Sequence, residues 1–299
     1  MTQRLSPGTI ALLVVPPFMW AANAVVGRLV HELISPMTLN FLRWALALLL
    51  LLPLGGWALR GGSPIWAHWR NLAALGFLGV GSYNSLQYLA LKTSTPLNVT
   101  LVAGCTPVFM MAVGALWFGQ AVSRRQLAGA LLSVVGVLLV ISRGQLQTLL
   151  QVKLLPGDLF MLAATLVWAI YSWMLTRPKL PANVRSDWAA FLVAQMVFGL
   201  GWSSLFTLGE WGIGAGNFSF GWPLAATLLF VAIGPAIIAY RCWGVGIQRV
   251  GPTIAAFFSN LTPLFAAVLS AVLLGELPHL YHAVAFGLII GGIVVSAQR

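Results

Sequence analysis

Charged residues are scarce in this chain of 299 residues. Only 7% of its positions are Asp, Glu, Lys or Arg, whereas soluble domains carry about 25%. So few charges cannot cover a water-exposed surface, and the composition therefore excludes an ordinary soluble protein. Hydrophobic residues make up 60% of the chain, and they occur in long runs. Such runs favour membrane-spanning helices over the short alternating strands of a membrane barrel.

Acidic residues are rarer still, with five Asp and Glu against sixteen Lys and Arg, and the net charge is +11. In a soluble protein this excess would suggest a nucleic-acid partner. In a membrane protein, basic side chains instead mark cytoplasmic loops that face anionic lipid. We therefore expect a lipid bilayer around the protein and no nucleic acid as its partner.

The residue sets that usually carry catalysis or bind cofactors are also missing. The two cysteines, Cys105 and Cys242, lie inside apolar runs without metal-ligand spacing, which favours buried thiols over a disulfide. His279 and His282 have no carboxylate or thiol set near them in the sequence, and no Gly-rich phosphate loop ends in Lys-Ser or Lys-Thr. We expect no enzyme activity, no metal and no cofactor.

What the sequence has instead is a series of apolar segments, each about 20 residues long. Their connections are too short for a soluble domain, so the function must lie among the spans. Gly129, Gly136, Gly287 and Gly291 predict close contact between the fifth and tenth spans. The predicted spans are 8–30, 35–57, 70–91, 96–118, 125–142, 157–176, 187–209, 222–243, 252–274 and 279–297.

The basic residues are distributed unevenly between the two sides of these spans. With a cytoplasmic N-terminus, four lie outside (Arg28, Lys92, Arg143 and Lys153), and Arg43 lies within a span. The inside set is Arg4, Arg60, Arg70, Arg124, Arg125, Arg177, Lys179, Arg185, Arg241, Arg249 and Arg299. The positive-inside rule therefore places both termini in the cytoplasm, and we expect the bacterial inner membrane as the location.

The second half of the chain repeats the first. A shift of 156 residues aligns Thr106-Pro107 with Thr262-Pro263, and a shift of 148 aligns Trp20 with Trp168. The prediction is therefore an all-α membrane protein with ten transmembrane helices in two five-helix repeats, 1–150 and 151–299. Because five is odd, the second repeat must be inverted in the membrane, an architecture typical of transporters.

These motifs together resemble the EamA branch of the drug/metabolite transporter superfamily, over essentially the whole chain. They are a Trp-Ala step in each first helix, Thr-Pro-x-Phe followed by Gly-Gln or Gly-Glu, and PMTLNFLR at 36–43. The resemblance implies export of amino acids and other small metabolites, in some members aromatic amino acids. Gln120 departs from the pattern, since its counterpart in the second copy is Glu276.

The paired prolines raise a question of mechanism. Pro107 and Pro263 each remove a backbone donor and clash with the carbonyl four residues earlier, that of Ala103 or Ser259. Because a freed carbonyl in the membrane needs a partner, we expect hinges there, with Ser259 and Asn260 lining a water-filled path. A kink kept only for packing is the alternative.

Polar and aromatic side chains at membrane depth are the other candidates for a substrate path. Interhelical hydrogen bonding and interfacial aromatics are the alternative interpretation. Arg43 is the one charge well inside a span, and it could bind a substrate carboxylate, snorkel or hold freed carbonyls. The other candidates are Trp20, Asn23, Tyr83, Asn84, Gln87, Trp168, Tyr171, Tyr240 and Trp243.

These features predict a monomeric carrier that exports neutral amino acids, large apolar or aromatic ones, by alternating access. The alternatives are a lipid flippase or a proton-coupled carrier for drugs and metabolites. Proton coupling usually needs a titratable group at membrane depth, but the acidic residues all lie at span ends or in loops. We therefore expect transport without obligatory proton exchange.

Overall fold

A computed structural model describes residues 5–30, 32–94, 96–145, 147–274 and 279–298, and helices make up most of them. Arg4, Glu276 and Arg299, which entered the charge and motif arguments, lie outside these ranges. The α-helices are α1 (Pro7–Leu29), α2 (Pro36–Gly55), α3 (Trp69–Gly76), α4 (Tyr83–Thr93), α5 (Pro96–Gly104), α6 (Thr106–Phe118), α7 (Arg124–Ile141), α8 (Gln147–Leu150), α9 (Pro156–Met174), α10 (Ala182–Ser186), α11 (Trp188–Gly212), α12 (Trp222–Val231), α13 (Ala239–Val250), α14 (Pro252–Ser259), α15 (Thr262–Leu274) and α16 (Leu280–Ala297).

The observed helices follow the predicted spans closely, with one clear exception. The eighth span was predicted to end at 243, whereas α13 continues to Val250. The polar residues of this stretch, Arg241, Gln248 and Arg249, are exposed side chains on the helix, whereas others, such as Ile247, are buried.

Two of the long helical segments contain a π-helical stretch that the sequence did not predict. Phe77–Ser82 joins α3 to α4, and Ala232–Ile238, with Pro235 inside it, joins α12 to α13. The two stretches lie about 156 residues apart, the shift that aligns the paired prolines. A π turn interrupts the regular hydrogen-bond ladder and occurs often at functional sites.

Eight helical segments within the described ranges are long and apolar enough to cross a membrane. A ninth is added if Asn98–Gly104 and Thr106–Phe118, which meet at a bend of 46°, form one broken span. The predicted third span is helical from Trp69 to Thr93 but is not among them, because polar residues such as Asn84 and Gln87 lower its mean hydropathy. Ten spans therefore remain a prediction.

Both predicted hinge prolines lie at helix breaks. Pro107 is the second residue of α6, directly after the break at Cys105, and Pro263 is the second residue of α15. Proline is tolerated in the first turn of a helix, where the missing N–H is not needed. The Ala103 carbonyl accepts a hydrogen bond of 2.5 Å from the Thr106 hydroxyl, so protein satisfies this freed group.

Close contact between α7 and α16 depends on glycines, though only partly on those predicted. A Cβ atom on Gly129 would lie 2.6 Å from the Gly292 carbonyl oxygen, and one on Gly136 would lie 2.8 Å from Ile289. Gly287 and Gly291, in contrast, face open space. The prediction was wrong for these two residues, because Gly292 is the one that lies at the crossing.

Carboxylates at helix ends join the two halves of the chain. Glu210, near the end of α11, accepts hydrogen bonds from the Ser35 hydroxyl at 2.6 Å and the Thr38 amide at 3.1 Å, at the start of α2. At the other end of the same helix pair, Asp187 accepts a hydrogen bond of 2.9 Å from the Trp57 indole. The helices α2 and α11 are therefore antiparallel and linked at both ends.

Candidate functional site: an aromatic cluster beside a buried arginine

The centre of the candidate site is the indole of Trp168 on α9, which is only 4% exposed. Rings from α1, α4 and α13, together with one from α9 itself, surround it, so both halves of the chain contribute. We call the six rings of Trp20, Tyr83, Trp168, Tyr171, Tyr240 and Trp243 the aromatic cluster. The centroid distances to Trp168 are 5.3 Å for Trp20, 5.1 Å for Tyr83, 5.3 Å for Tyr171, 5.7 Å for Tyr240 and 5.5 Å for Trp243.

Hydrogen bonds fix the orientation of three of these rings. The Tyr171 hydroxyl donates to Gln195 Oε1 at 2.9 Å, and the Trp243 indole donates to the Ser172 hydroxyl at 3.1 Å. The Tyr240 hydroxyl donates to the Gly79 carbonyl at 2.5 Å. Because their polar atoms are bonded within the protein, these side chains present mainly apolar ring surface to their neighbours.

The first π stretch supplies the carbonyls that anchor the site. Besides Gly79, the Val80 carbonyl accepts a hydrogen bond of 3.1 Å from the Asn40 amide, and the Gly81 carbonyl accepts one of 2.7 Å from Ser85. Side chains thus satisfy three consecutive carbonyls of the π stretch, as the membrane interior requires. The π stretch therefore holds residues of α2 and α13 next to each other.

Arg43 lies beside the aromatic cluster and is almost completely buried, at 3% exposure. Its Nη2 donates a hydrogen bond of 2.9 Å to Asn40 Oδ1, and its Cζ lies 5.2 Å from the centroid of the Trp44 ring. Trp44 in turn contacts Tyr240, with 4.8 Å between the ring centroids. The guanidinium also interacts electrostatically with Tyr240.

The hydrogen-bonding capacity of Arg43 is only partly used. Its Nε is buried and has no partner among the described residues, and within those residues no carboxylate forms an ion pair with it. A buried charge without a counter-ion is costly, and in a membrane such a residue usually marks a substrate or ion path. The arrangement is therefore ready to accept an anionic group beside an aromatic surface.

Other predicted site residues lie outside the aromatic cluster. Asn84 is buried, and Asn23 and Gln87 are half-buried. Within the described part of the chain, none of these three side chains forms a hydrogen bond. Ser259 Oγ and both amide atoms of Asn260 are buried without a partner in the same ranges. Unpaired buried polar atoms need a partner such as water or a ligand, which is compatible with a path at this break.

Sequence reasoning missed several residues that hold the site together, among them Asn40, Trp44, Ser172 and Gln195. Asn40 had a recognisable signal, because it lies three residues before Arg43 on the same helical face. Gln195 and Ser172 had none, since isolated polar residues in apolar helices do not show which neighbour they face. No group of three His, Cys, Asp or Glu within the described ranges could hold a metal ion.

A model of the EamA-like transporter family matches this chain twice, over residues 8–142 and 155–298. The chain belongs to the EamA-like transporter family. The resemblance drawn from the motifs is thereby confirmed. Family membership also identifies the protein as an integral membrane transporter rather than an enzyme.

Several curated relatives of this EamA-like transporter cover most of its length. A probable amino-acid metabolite efflux pump of Salmonella typhimurium is 30% identical, over 90% of this chain and 87% of its own. The aromatic amino acid exporter YddG of Ancylobacter novellus is 27% identical, over 80% of this chain and 77% of its own. An uncharacterized transporter of Archaeoglobus fulgidus is also 27% identical, over 97% of this chain and 98% of its own.

A solved crystal structure of another protein has the same fold. It superposes with a TM-score of 0.73 at 21% identity and covers 96% of each chain. This similarity concerns the fold alone.

Proposed function

We propose that this transporter exports neutral amino acids with large apolar or aromatic side chains from the cytoplasm. The observation that carries the proposal is the buried guanidinium of Arg43, which has no carboxylate partner among the described residues and lies next to the aromatic cluster. Some relatives are named as exporters of amino acids, including aromatic ones, which favours the same substrate class.

The chemistry of the site suggests how such a substrate would bind. Arg43 would receive the carboxylate in a charge-assisted hydrogen bond, and the rings around Trp168 would pack against the side chain. No carboxylate of the described residues lies in the aromatic cluster, so a free cation has no counter-ion there. This selects a zwitterion over a polyamine or a cationic drug.

For the transport cycle we propose alternating access between two inverted five-helix repeats, 1–150 and 151–299, with ten spans. The breaks before Pro107 and Pro263 would serve as hinges, because a helix end without a continuous hydrogen-bond ladder bends at low cost. Asn260 and Ser259 would then line the path. Both termini would be cytoplasmic, in a bacterial inner membrane, and the protein would act as a monomer.

The roles of three of the five acidic residues support transport without obligatory proton coupling. Asp158, Asp187 and Glu210 each accept hydrogen bonds at a helix end. Carboxylates engaged in this way stabilise the fold and are not free to carry protons across the membrane.

A substrate panel in proteoliposomes tests the proposal. Liposomes that contain the purified protein and unlabelled amino acid should take up labelled Phe, Trp or Leu in exchange, faster than liposomes with an unrelated membrane protein. Labelled polyamines and sugars should show no such difference. Exchange of a polyamine or sugar, with none of the amino acids exchanged, would overturn the proposal.

A further inference from the structure

A groove of about 440 Å³ lies outside the aromatic cluster. It lies between the second turn of α1, the first residue of α11 and the segment that runs from the second π stretch into α13. One wall is apolar and consists of Leu12, Ile237, Ile238 and Val245. Trp188 and Cys242 also line the groove, and two arginines, Arg241 and Arg249, complete the lining. Both arginines are exposed. The groove therefore combines an apolar wall with concentrated positive charge.

The two arginines lie at the same end of the molecule. Arg241 Cζ is 4.2 Å from the ring centroid of Trp188, the first residue of α11. Arg249 Nη1 lies 3.4 Å from the hydroxyl of Thr9, in the first turn of α1. Although Arg241 is more than two turns from the end of α13, its side chain extends to the level where α11 begins, as arginines do at a membrane interface.

In the part of the chain that the structure describes, no acidic side chain neutralises this charge. Within the described residues, neither arginine forms an ion pair with a carboxylate. Asp187, the nearest acidic residue along α11, instead accepts hydrogen bonds from Trp57, Ala189 and Ala190. Arg241, Val245 and Arg249 recur every four residues along α13, which places the two charges beside the apolar wall.

We infer that this groove binds one anionic phospholipid, with its phosphate at Arg241 and Arg249 and an acyl chain along the apolar wall. Guanidinium groups bind phosphate through paired, charge-assisted hydrogen bonds. A lipid with net negative charge suits two unpaired arginines better than a zwitterionic lipid, whose own ammonium offsets its phosphate. The apolar wall distinguishes a lipid from a free phosphate ion, which would leave that wall in contact with water.

Native mass spectrometry of the full-length protein in detergent tests this inference without a transport assay. Dioleoyl phosphatidylglycerol should remain bound, whereas dioleoyl phosphatidylcholine should bind on the order of tenfold more weakly. The Arg241→Gln/Arg249→Gln variant should lose this preference. The matched control is Arg124→Gln/Arg125→Gln, which removes the same charge from exposed positions at the start of α7 and should bind as the unmodified protein does.

A second variant and a soluble competitor separate the two parts of the groove. Val245→Trp keeps both arginines but fills the space beside the apolar wall, so it should also lower phosphatidylglycerol binding. Glycerol 3-phosphate, which has the anionic group without acyl chains, should not displace the lipid. Equal binding of both lipids, unchanged binding by either groove variant, or displacement by glycerol 3-phosphate would overturn the inference.

Discussion

Among single residues, Trp20 offers the clearest test of the aromatic cluster. Trp168 is buried at its centre, and replacing a buried aromatic residue by Ala costs about 3–5 kcal/mol of stability, so loss of transport could reflect unfolding. Trp20 is half-buried and contacts Trp168 and Trp243 at 5.3 and 5.4 Å. Its removal should therefore disturb the ring surface more than the fold.

Trp20→Ala should lower the exchange of aromatic amino acids about tenfold, because each aromatic contact contributes about 0.5–1.5 kcal/mol. Exchange of small amino acids, if the protein carries them, should change little. The measurement is the initial rate of amino acid exchange in proteoliposomes that contain equal amounts of folded protein. Trp117→Ala is the matched control, since Trp117 is 60% exposed on α6. Equal rates for Trp20→Ala and the control would place Trp20 outside the path.

Between helices, the crossing of α7 and α16 can be tested with two adjacent glycines. A Cβ atom at Gly292 would lie 2.4 Å from Ser133 Oγ and 2.6 Å from the Gly129 carbonyl oxygen, whereas Gly291 faces open space. Gly292→Ala should therefore lower the unfolding free energy by about 1–3 kcal/mol. Gly291→Ala should leave it unchanged or raise it slightly. Thermal unfolding in detergent measures both, and equal melting temperatures would contradict the close crossing.

At the start of α11, Asp187 gives the fold a dependence on pH. Burial alone would raise the pKa of this carboxyl, but hydrogen bonds donated by Trp57 and the amides of Ala190 and Ala189 hold it below its ordinary value. A lowered pKa in the folded state stabilises the protein above the unfolded value of about 3.9. That contribution is lost as the pH falls through the folded value.

Asp187→Asn should therefore melt at a lower temperature than the unmodified protein at neutral pH. The substitution should lower the unfolding free energy by about 1 kcal/mol or less. The difference should shrink as the pH falls below about 4, because the carboxyl is protonated first in the unfolded chain and then, at its lower folded-state pKa, in the native protein. Melting curves of both proteins in the same detergent, between pH 3 and 7, measure this difference. A difference that stays constant over the whole range would show that the carboxylate charge contributes nothing.

The elements also show how far the sequence could predict the structure. Long apolar runs gave the helix positions, and the prolines located the breaks before α6 and α15, because missing N–H groups constrain the backbone directly. The π stretches could not be predicted, since Phe77–Ser82 reads as ordinary apolar helix. Ser85 stabilises this stretch from the next turn, whereas Tyr240 and Asn40 reach its carbonyls from other helices. Such long-range hydrogen bonds leave no local pattern.

In the candidate site, too, residues with a local sequence pattern could be predicted, and residues that depend on long-range contacts could not. Trp20 and Trp168 were selected because they align between the two halves of the chain, and the other rings of the cluster because they lie in predicted spans. Asn23, Asn84 and Gln87 were chosen on the same grounds, but polarity alone does not indicate which helix face meets a partner. The pairing of Arg43 with Asn40 needed only helical spacing, whereas the Gln195 contact with Tyr171 needed the packed structure.

For the whole molecule, the placement of the acidic residues predicts how transport is driven. Because Asp158, Asp187 and Glu210 are engaged at helix ends, we expect no obligatory proton exchange. An imposed pH gradient across proteoliposomes should change the initial rate of amino acid flux only modestly and should not drive accumulation. Accumulation of substrate against its own gradient, driven by protons alone, would require a titrating group in the path.

The central claim is that Arg43 binds the carboxylate of an amino acid held among aromatic rings. The most direct measurement is competition in proteoliposomes between labelled tryptophan and two analogues: tryptamine, which lacks the carboxylate, and indole-3-propionate, which keeps it but lacks the amino group.

In the unmodified protein, indole-3-propionate should inhibit tryptophan exchange and tryptamine should not. Arg43→Gln should remove this preference and lower tryptophan exchange roughly tenfold or more, as expected for a lost hydrogen bond to a charged group. Arg60→Gln, at an exposed position, should behave as the unmodified protein does. Equal inhibition by both analogues in the unmodified protein, or an unchanged preference in folded Arg43→Gln, would contradict the account.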